Sequence, residues 1–336
     1  MSEIDAVSHK ILRALSENSR RSYNELAKIA GCSPQTAKKR VKWLEKEFDI
    51  KYVLEFDEEK LGLSAAYITY AKFKPMPDAG LLKKLLQAHN GPQFAAITRG
   101  DFDLVVYFSG RSNLDFSKWA NWFRQQLDDY IVDWQPGHTT GFWYGFFPLS
   151  TATIEQIPLE GSKKKMLMLL SENARMPLEE LARRCSVPPS TAHYHLESIL
   201  GAPYVKRCTI VMQKSPYPVT NIGFYGYRIG RTFVSSNLRR RRLVLSEESS
   251  LAASSQLVLS FNTVGDFDDI LVKSFDTLEA CQAYSERQHG LSPAFATPIK
   301  DGVVMNVIHG ALPVRNLDVK KEYNQKLEIY DMMEKD

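Results

Sequence analysis

Cysteine is scarce in this sequence, and what there is lies scattered. Cys32, Cys185, Cys208 and Cys281 form no C-x-x-C pair, which argues against a zinc ribbon or a dithiol redox motif and suits a reducing compartment. Long apolar runs are missing as well. The longest, such as Leu104–Phe108 and Met166–Leu170, fall far short of the roughly 20 residues of a membrane span. The opening MSEIDAVSHK puts acidic and polar residues where a signal peptide needs an apolar core. A cytoplasmic protein with no membrane partner is the expectation. The chain also lacks a glycine-rich phosphate loop and any cluster with metal-ligand spacing. His193 and His195 stand two apart and point to different sides of a helix. No nucleophile pairs with a base, and the carboxylates Asp101 and Asp103 have no acid/base partner in sequence reach. These absences predict a protein that is not an enzyme and uses no cofactor or metal.

What the chain does have is a repeat. ILRALSENSRRSYNELAKIAGCSPQTAKKRVKWLE, from Ile11 to Glu45, returns as MLMLLSENARMPLEELARRCSVPPSTAHYHLESIL, from Met166 to Leu200, without a gap at an offset of 155. A second echo follows in the same order: Gly100-Asp101-Phe102-Asp103 recurs as Gly265-Asp266-Phe267-Asp268. The duplicated unit is therefore a whole protein. With 336 residues, 44% hydrophobic and 24% charged, the chain is long enough for several ordinary globular cores.

In the first copy, Ile11, Leu12 and Leu15 recur at helical spacing. Ser22 stands three residues before Glu25, a capping-box pattern that opens a helix over Tyr23–Ala30. Gly31 suits the left-handed residue that closes it, and Ser33 caps a third helix with Pro34 at its first position. Ala37, Val41, Leu44 and Phe48 form a buried stripe on that helix. Its other face carries Gln35, Lys38, Lys39 and Lys42, with Arg40 at the border. This is a helix-turn-helix with a cationic second helix. Lysine and arginine neutralise phosphates, and Ser33, Gln35 and Thr36 can reach base edges from the helix start. From Lys10 to Lys51 there are eleven Lys/Arg against five Asp/Glu. A charge run alone is more often a solvated face; the capped helix pair before it reverses that. Tyr52–Phe56 is the candidate β-wing.

The second copy keeps the scaffold and loses charge. Its reading helix presents Ser190, His193 and Tyr194 where the first has mostly lysines, with Arg183 and Arg184 alongside for phosphate contact. The first head should dominate DNA binding.

After each head the period changes. Ala65–Phe73, Phe94–Thr98, Leu104–Phe108 and a stretch within Val132–Phe147 read as strands, with helices over Asp78–His89 and Asn113–Tyr130. The order β-α-β-β-α-β is the ferredoxin-like split unit. The second copy follows it through 223–229, a helix somewhere in Ser236–Ala253, then 257–264, 270–274, 278–288 and 303–308. The fold class is α+β, with two tandem units, each a winged helix-turn-helix followed by a ferredoxin-like sandwich. The expected boundaries are 1–62, 63–157, 158–218 and 219–314, with a charged tail or helix over 315–336.

The E-L-A…G-x-S-P-x-T…R-x-x-x-L-E run of Glu25–Glu45, joined to the G-D-F-D turn, resembles the Lrp/AsnC (feast/famine) family of prokaryotic regulators. The resemblance implies double-stranded DNA as partner. It also implies a sandwich that mediates dimerisation and senses a small effector, often an amino acid. The family's effector region maps to Gly100, Asp101 and Asp103, and to Gly265, Asp266 and Asp268; the plainer reading is that the glycines only shape tight hairpins. Because both halves lie in one chain, a pseudo-dimeric monomer, or a homodimer of such chains, is expected. Two alternatives remain. The sirohaem decarboxylases are similar in layout and act on a tetrapyrrole, but the corresponding stretches here, 139–147 and 302–310, supply little beyond His138 and His309. A non-DNA interaction module with vestigial heads is the other. Arg239–Arg242 reads as a solvated surface run.

Overall fold

Two short signals at each helix end, rather than helix propensity alone, set the first head in the computed structural model. The structure describes residues 5–212, 221–228, 255–275, 277–289 and 297–311. Asp5 accepts the Ser8 N–H at 2.8 Å and opens α1 (Ala6–Glu17). Ser22 and Glu25 close a capping box on α2 (Tyr23–Ala30), which ends at left-handed Gly31, φ 71°. Ser33 accepts the Thr36 N–H at 3.1 Å and opens α3 (Pro34–Phe48). Ala37, Val41, Leu44 and Phe48 are all buried on one side of it.

The chain continues through β1 (Ile50–Phe56), β2 (Ala65–Phe73), α4 (Ala79–Gln87), β3 (Pro92–Gly100), β4 (Leu104–Gly110), α5 (Asn113–Gln126) and β5 (Ile131–Tyr144). A short α6 (Thr151–Ile154) leads into the second head: α7 (Gly161–Glu172), α8 (Leu178–Cys185) and α9 (Pro189–Leu200). Then follow β6 (Val205–Met212), β7 (Asn221–Arg228), β8 (Ser255–Val264), β9 (Asp269–Phe275), α10 (Leu278–His289) and β10 (Thr297–His309). The helix expected within Ser236–Ala253, the Arg239–Arg242 run and the tail 315–336 lie outside the described residues.

The segment expected as a wing, Tyr52–Phe56, does something else. β1 pairs antiparallel with β6 of the other unit, Val53 opposite Thr209 and Glu55 opposite Arg207. Ile50, Tyr52, Leu54 and Phe56 are buried; a strand with that many apolar side chains needs a partner surface, and its backbone needs a ladder. The two heads therefore share one hydrophobic core, in which Leu15, Val41 and Leu44 lie with Leu170, Leu181 and Leu196. Their contact is reciprocal. The Arg20 guanidinium donates to the Ala174 carbonyl at 2.7 Å, and Arg175 donates to the Ser19 carbonyl. Each pair is the other displaced by the repeat, the signature of an isologous interface.

The sheets are joined as well. Unit one runs β3-β4-β2-β5 and unit two β8-β9-β7-β10, the same ferredoxin-like order twice. β5 pairs with β8 and β10 pairs with β3, so the two sheets close into one barrel. Closure removes the sheet edges that two separate sandwiches would expose. The interior is aromatic: Phe94, Phe147, Phe224 and Phe261 are at most 1% exposed. In unit one, Leu82, Leu86, Phe116, Trp119 and Phe123 from α4 and α5 cover the outer face.

Glu58, in the turn after β1, ties head to barrel. The hydroxyls of Tyr107 (2.9 Å) and Ser109 both donate to its Oε2. Burial pushes this carboxyl above its ordinary value of 4.5. An acid with a raised folded-state pKa holds its proton more tightly folded than unfolded. Stability is therefore lost as pH rises from the ordinary carboxylate range through the raised value. Glu58→Gln removes that loss. It is expected to raise the urea midpoint at pH 7 and to leave it unchanged near pH 4. A midpoint lowered at pH 7 would mean the folded state prefers the anion.

Candidate nucleic-acid interface

On α3 the capped first turn and the buried stripe leave one face to solvent. Gln35, Lys38, Lys39 and Lys42 are exposed there, with Thr36 half-buried. Ser33 is exposed, but its hydroxyl is engaged by the Thr36 N–H and hydroxyl, the latter at 2.9 Å. Arg40, expected at a DNA contact, has its guanidinium 2.5 Å from the Asp5 carboxylate. The α1 cap thus holds this arginine at the helix border; Lys38, Lys39 and Lys42 make no ion pair among the described residues, and the Lys38 ammonium lies 6.0 Å from the Tyr23 ring centroid.

The second head differs in kind. α3 carries Lys38, Lys39, Arg40, Lys42 and Lys46 against Glu45 and Glu47, whereas α9 carries no lysine or arginine and one acid, Glu197. Ser190, His193 and Tyr194 are exposed, Tyr194 at 71%. Arg183 is matched by Glu180 at 2.7 Å and Arg184 by Glu172 at 3.6 Å. Such exposed pairs are weak in themselves, but a phosphate has to compete with each acid for its arginine. His195 turns away to α7, its Nε2 3.0 Å from the Ser162 hydroxyl.

A group the sequence reading passed over lies beside α9. Lys163, Lys164 and Lys165 follow one another near the start of α7, just after the N-cap residue Glu160. Lys163 donates to Ser198 of α9 at 2.7 Å, which fixes this triplet against the second reading helix. The signal was present as SKKK before an apolar run. It was hidden because the first copy has Ser8-His9-Lys10 at the matching positions.

The G-D-F-D turns sit at the seam of the barrel. Gly100 (φ 148°) faces the backbone of Asp301 and Gly302, and Gly265 (φ 153°) faces that of Pro136 and Gly137. Asp101 and Asp301 exchange two hydrogen bonds: the Asp101 N–H donates to the Asp301 carbonyl and the Asp301 N–H to the Asp101 carboxylate, both 2.9 Å. Asp103 accepts from the Lys72 ammonium and the Phe73 N–H, both at 2.9 Å. Asp266 and Asp268 have interactions of their own. Phe102 and Phe267 point into the barrel core. In the first turn, the carboxylates of Asp101 and Asp103 thus both have partners in the scaffold.

His138 packs edge-on to Tyr67 at 5.0 Å. His309 sits with Nε2 3.0 Å from the Pro92 carbonyl, and burial pushes its imidazole below the usual range. Among the described residues no group of three or more His, Cys, Asp or Glu has a metal-binding arrangement, and no helix is long and apolar enough to cross a membrane.

Known proteins resemble the chain at two scales. Residues 4–45 match the AsnC-type helix-turn-helix domain, and residues 159–198 match a winged helix-turn-helix DNA-binding domain. The Bkd operon transcriptional regulator of Pseudomonas aeruginosa is 36% identical over 80 residues, 23% of this chain. The match spans about half, 52%, of that regulator's own length. The solved AsnC of E. coli is 23% identical over 40% of this chain and 91% of its own, with a TM-score of 0.36. At whole-chain scale, the siroheme decarboxylase NirDL covers 98% of this chain and 99% of its own. That likeness has a TM-score of 0.57 and 12% identity. It has also been solved with an iron-uroporphyrin III analogue. The expectation of a protein that is not an enzyme is therefore withdrawn: this two-unit architecture is also that of a decarboxylase. Residues remote in sequence meet in such a fold, so the lack of a nucleophile–base pair in sequence reach excludes nothing.

Proposed function

We propose, from a chain built as two Lrp/AsnC-type units, that this protein is a sequence-specific DNA-binding transcriptional regulator acting in the cytoplasm. One chain supplies both heads of what is otherwise a symmetric dimer. The α3 head grips one half-site through Lys38, Lys39 and Lys42, with Gln35 at a base edge. The second head contacts the neighbouring half-site more weakly, through the Lys163–Lys165 triplet and, once released from their acids, Arg183 and Arg184. The observation that carries this reading is the exposed lysine face of α3 on a capped AsnC-type head. Because the heads share a core, their separation is fixed, and so is the spacing of the two half-sites.

Selection of bound duplexes from a random library tests it. The expected consensus is asymmetric, one half strongly constrained and the other weakly, at a single spacing. A palindrome with equal halves would end the unequal-heads reading. Binding without salt dependence, or none, would favour an interaction module instead.

A second reading is supported by the whole-chain likeness to NirDL: a tetrapyrrole ligand on the same fold. A stoichiometric Soret band after incubation with sirohaem would bring it forward.

A further inference from the structure

The reciprocal arginines of the two heads differ in what else they meet. Arg175, in the loop between α7 and α8, does more than donate to the Ser19 carbonyl. Its guanidinium lies over two rings of the first head, 5.2 Å from the centroid of Tyr23 and 5.5 Å from that of Tyr52. Tyr23 is the first residue of α2, and its ring also has the Lys38 ammonium 6.0 Å away. Tyr52 is buried in β1, where its carbonyl accepts the Ala174 N–H at 2.9 Å. Its hydroxyl donates to Oε1 of Glu45 at 2.5 Å, and Glu45 belongs to α3. Burial and the Glu45 carboxylate push the Tyr52 hydroxyl above its ordinary value of 10.0, so it stays a donor. A path of contacts thus runs from Arg175 of the second unit, through Tyr52 and Glu45, to the reading helix of the first.

The other side has no such path. There the Ser19 N–H donates to the Cys208 carbonyl at 2.9 Å, as the Ala174 N–H does to that of Tyr52, so Cys208 stands where Tyr52 does. The repeat puts Leu178 at the place of Tyr23 and Leu200 at that of Glu45. Neither the rings nor the carboxylate has a counterpart, and Arg20 donates to the Ala174 and Met176 carbonyls, at 2.7 and 3.1 Å. A guanidinium on aromatic faces and a hydroxyl on a carboxylate both hold their partners more firmly than neutral contacts do. We infer that Arg175 is a positioning residue, which seats the reading helix α3 of the first head through Tyr52 and Glu45, with Tyr23 beside them. The second unit thereby serves the first head's reading of sequence as well as its own contact with DNA. The seating stands on the contacts; its effect on sequence selection rests on the DNA-binding reading.

Hydrogen exchange on the full chain, with no DNA present, tests the seating itself. Tyr52→Phe removes one hydroxyl and leaves the second unit unaltered. It is expected to speed exchange of the α3 amides by about tenfold and to leave those of α9 unchanged. Arg175→Ala is expected to speed α3 at least as much, and Arg175→Lys, which keeps the charge without the flat guanidinium, by an intermediate amount. Anisotropy then compares the duplex selected from the random library with an unselected one. Tyr52→Phe and Arg175→Ala are each expected to lower the ratio of the two affinities by about fivefold, with the salt slope unchanged because no phosphate contact is lost. A merely structural contact would lower the unfolding midpoint and leave that ratio at the parent's value. The inference is overturned if neither variant moves α3 exchange, or if Tyr52→Phe speeds α3 and α9 alike. An unchanged ratio in both variants, beside a parent that does select, overturns it too. A parent that does not distinguish the two duplexes would instead remove the DNA-binding reading, and exchange alone would then decide the seating.

Discussion

Replacing Lys38 and Lys39 together by alanine is expected to weaken duplex binding by about 30- to 100-fold near 0.15 M salt, and to lower the salt slope by about two. Arg183→Ala with Arg184→Ala is expected to cost less than about threefold under the same conditions. The difference comes from what each cation must give up. Lys38 and Lys39 are exposed with no ion pair among the described residues, Lys38 only 6.0 Å over the Tyr23 ring, so a phosphate displaces no acid to reach them. Arg183 and Arg184 are held by Glu180 and Glu172; part of what DNA offers them only replaces what the acids already supply. Anisotropy titrations from 50 to 300 mM salt, roughly spanning the range where counterion release is read out, make the comparison. Equal losses from the two pairs would remove the asymmetry. Both pairs are on the surface, so unfolding midpoints should not move and the binding change can be read directly.

Gly100→Ala is expected to destabilise the chain by about 3 kcal/mol or more, and Gly265→Ala by somewhat less. Both glycines have a positive φ that side chains rarely adopt, and both face backbone across the seam. A Cβ on Gly100 would stand 2.6 Å from the Asp301 carbonyl oxygen and 3.0 Å from Gly302 Cα. On Gly265 it would stand 3.0 Å from the Pro136 carbonyl oxygen and 3.2 Å from Gly137 Cα. Backbone cannot swing aside as a side chain can, so the β3–β10 ladder has to shift. Urea unfolding measures the cost. A Gly100→Ala midpoint within error of the parent would show that the turn does not clamp the two units. Hydrogen exchange at Asp101 and Asp301 locates the damage, because their two mutual bonds close this seam.

The helices of both heads were legible because their signals are local. Ser22 with Glu25, Gly31, and Ser33 with Pro34 each act within a few residues, and the structure places the helix ends where those signals stand. The strand order within each sheet followed from the β-α-β-β-α-β plan. What escaped was pairing at long range. The apolar alternation of Ile50–Phe56 shows that the strand must be covered but not by what; its partner, Val205–Met212, belongs to the other unit. The Asp101–Asp301 exchange spans 200 residues, so nothing local shows that the Gly100 turn meets the other half of the chain. Arg40 sits on the lysine face in sequence, yet Asp5 claims it from a segment that only folding brings near.

The reciprocal Arg20 and Arg175 contacts, with the β1–β6 ladder, have a consequence for dose. In an ordinary dimer the two reading heads part on dilution, and occupancy of a site falls with the square of protein concentration once dissociation sets in. Here the second head is covalently present whenever the first is, so its local concentration is set by the fold and not by expression. On a single site, occupancy should follow a simple hyperbola down to a few copies per cell, with a midpoint that does not drift as the protein is diluted.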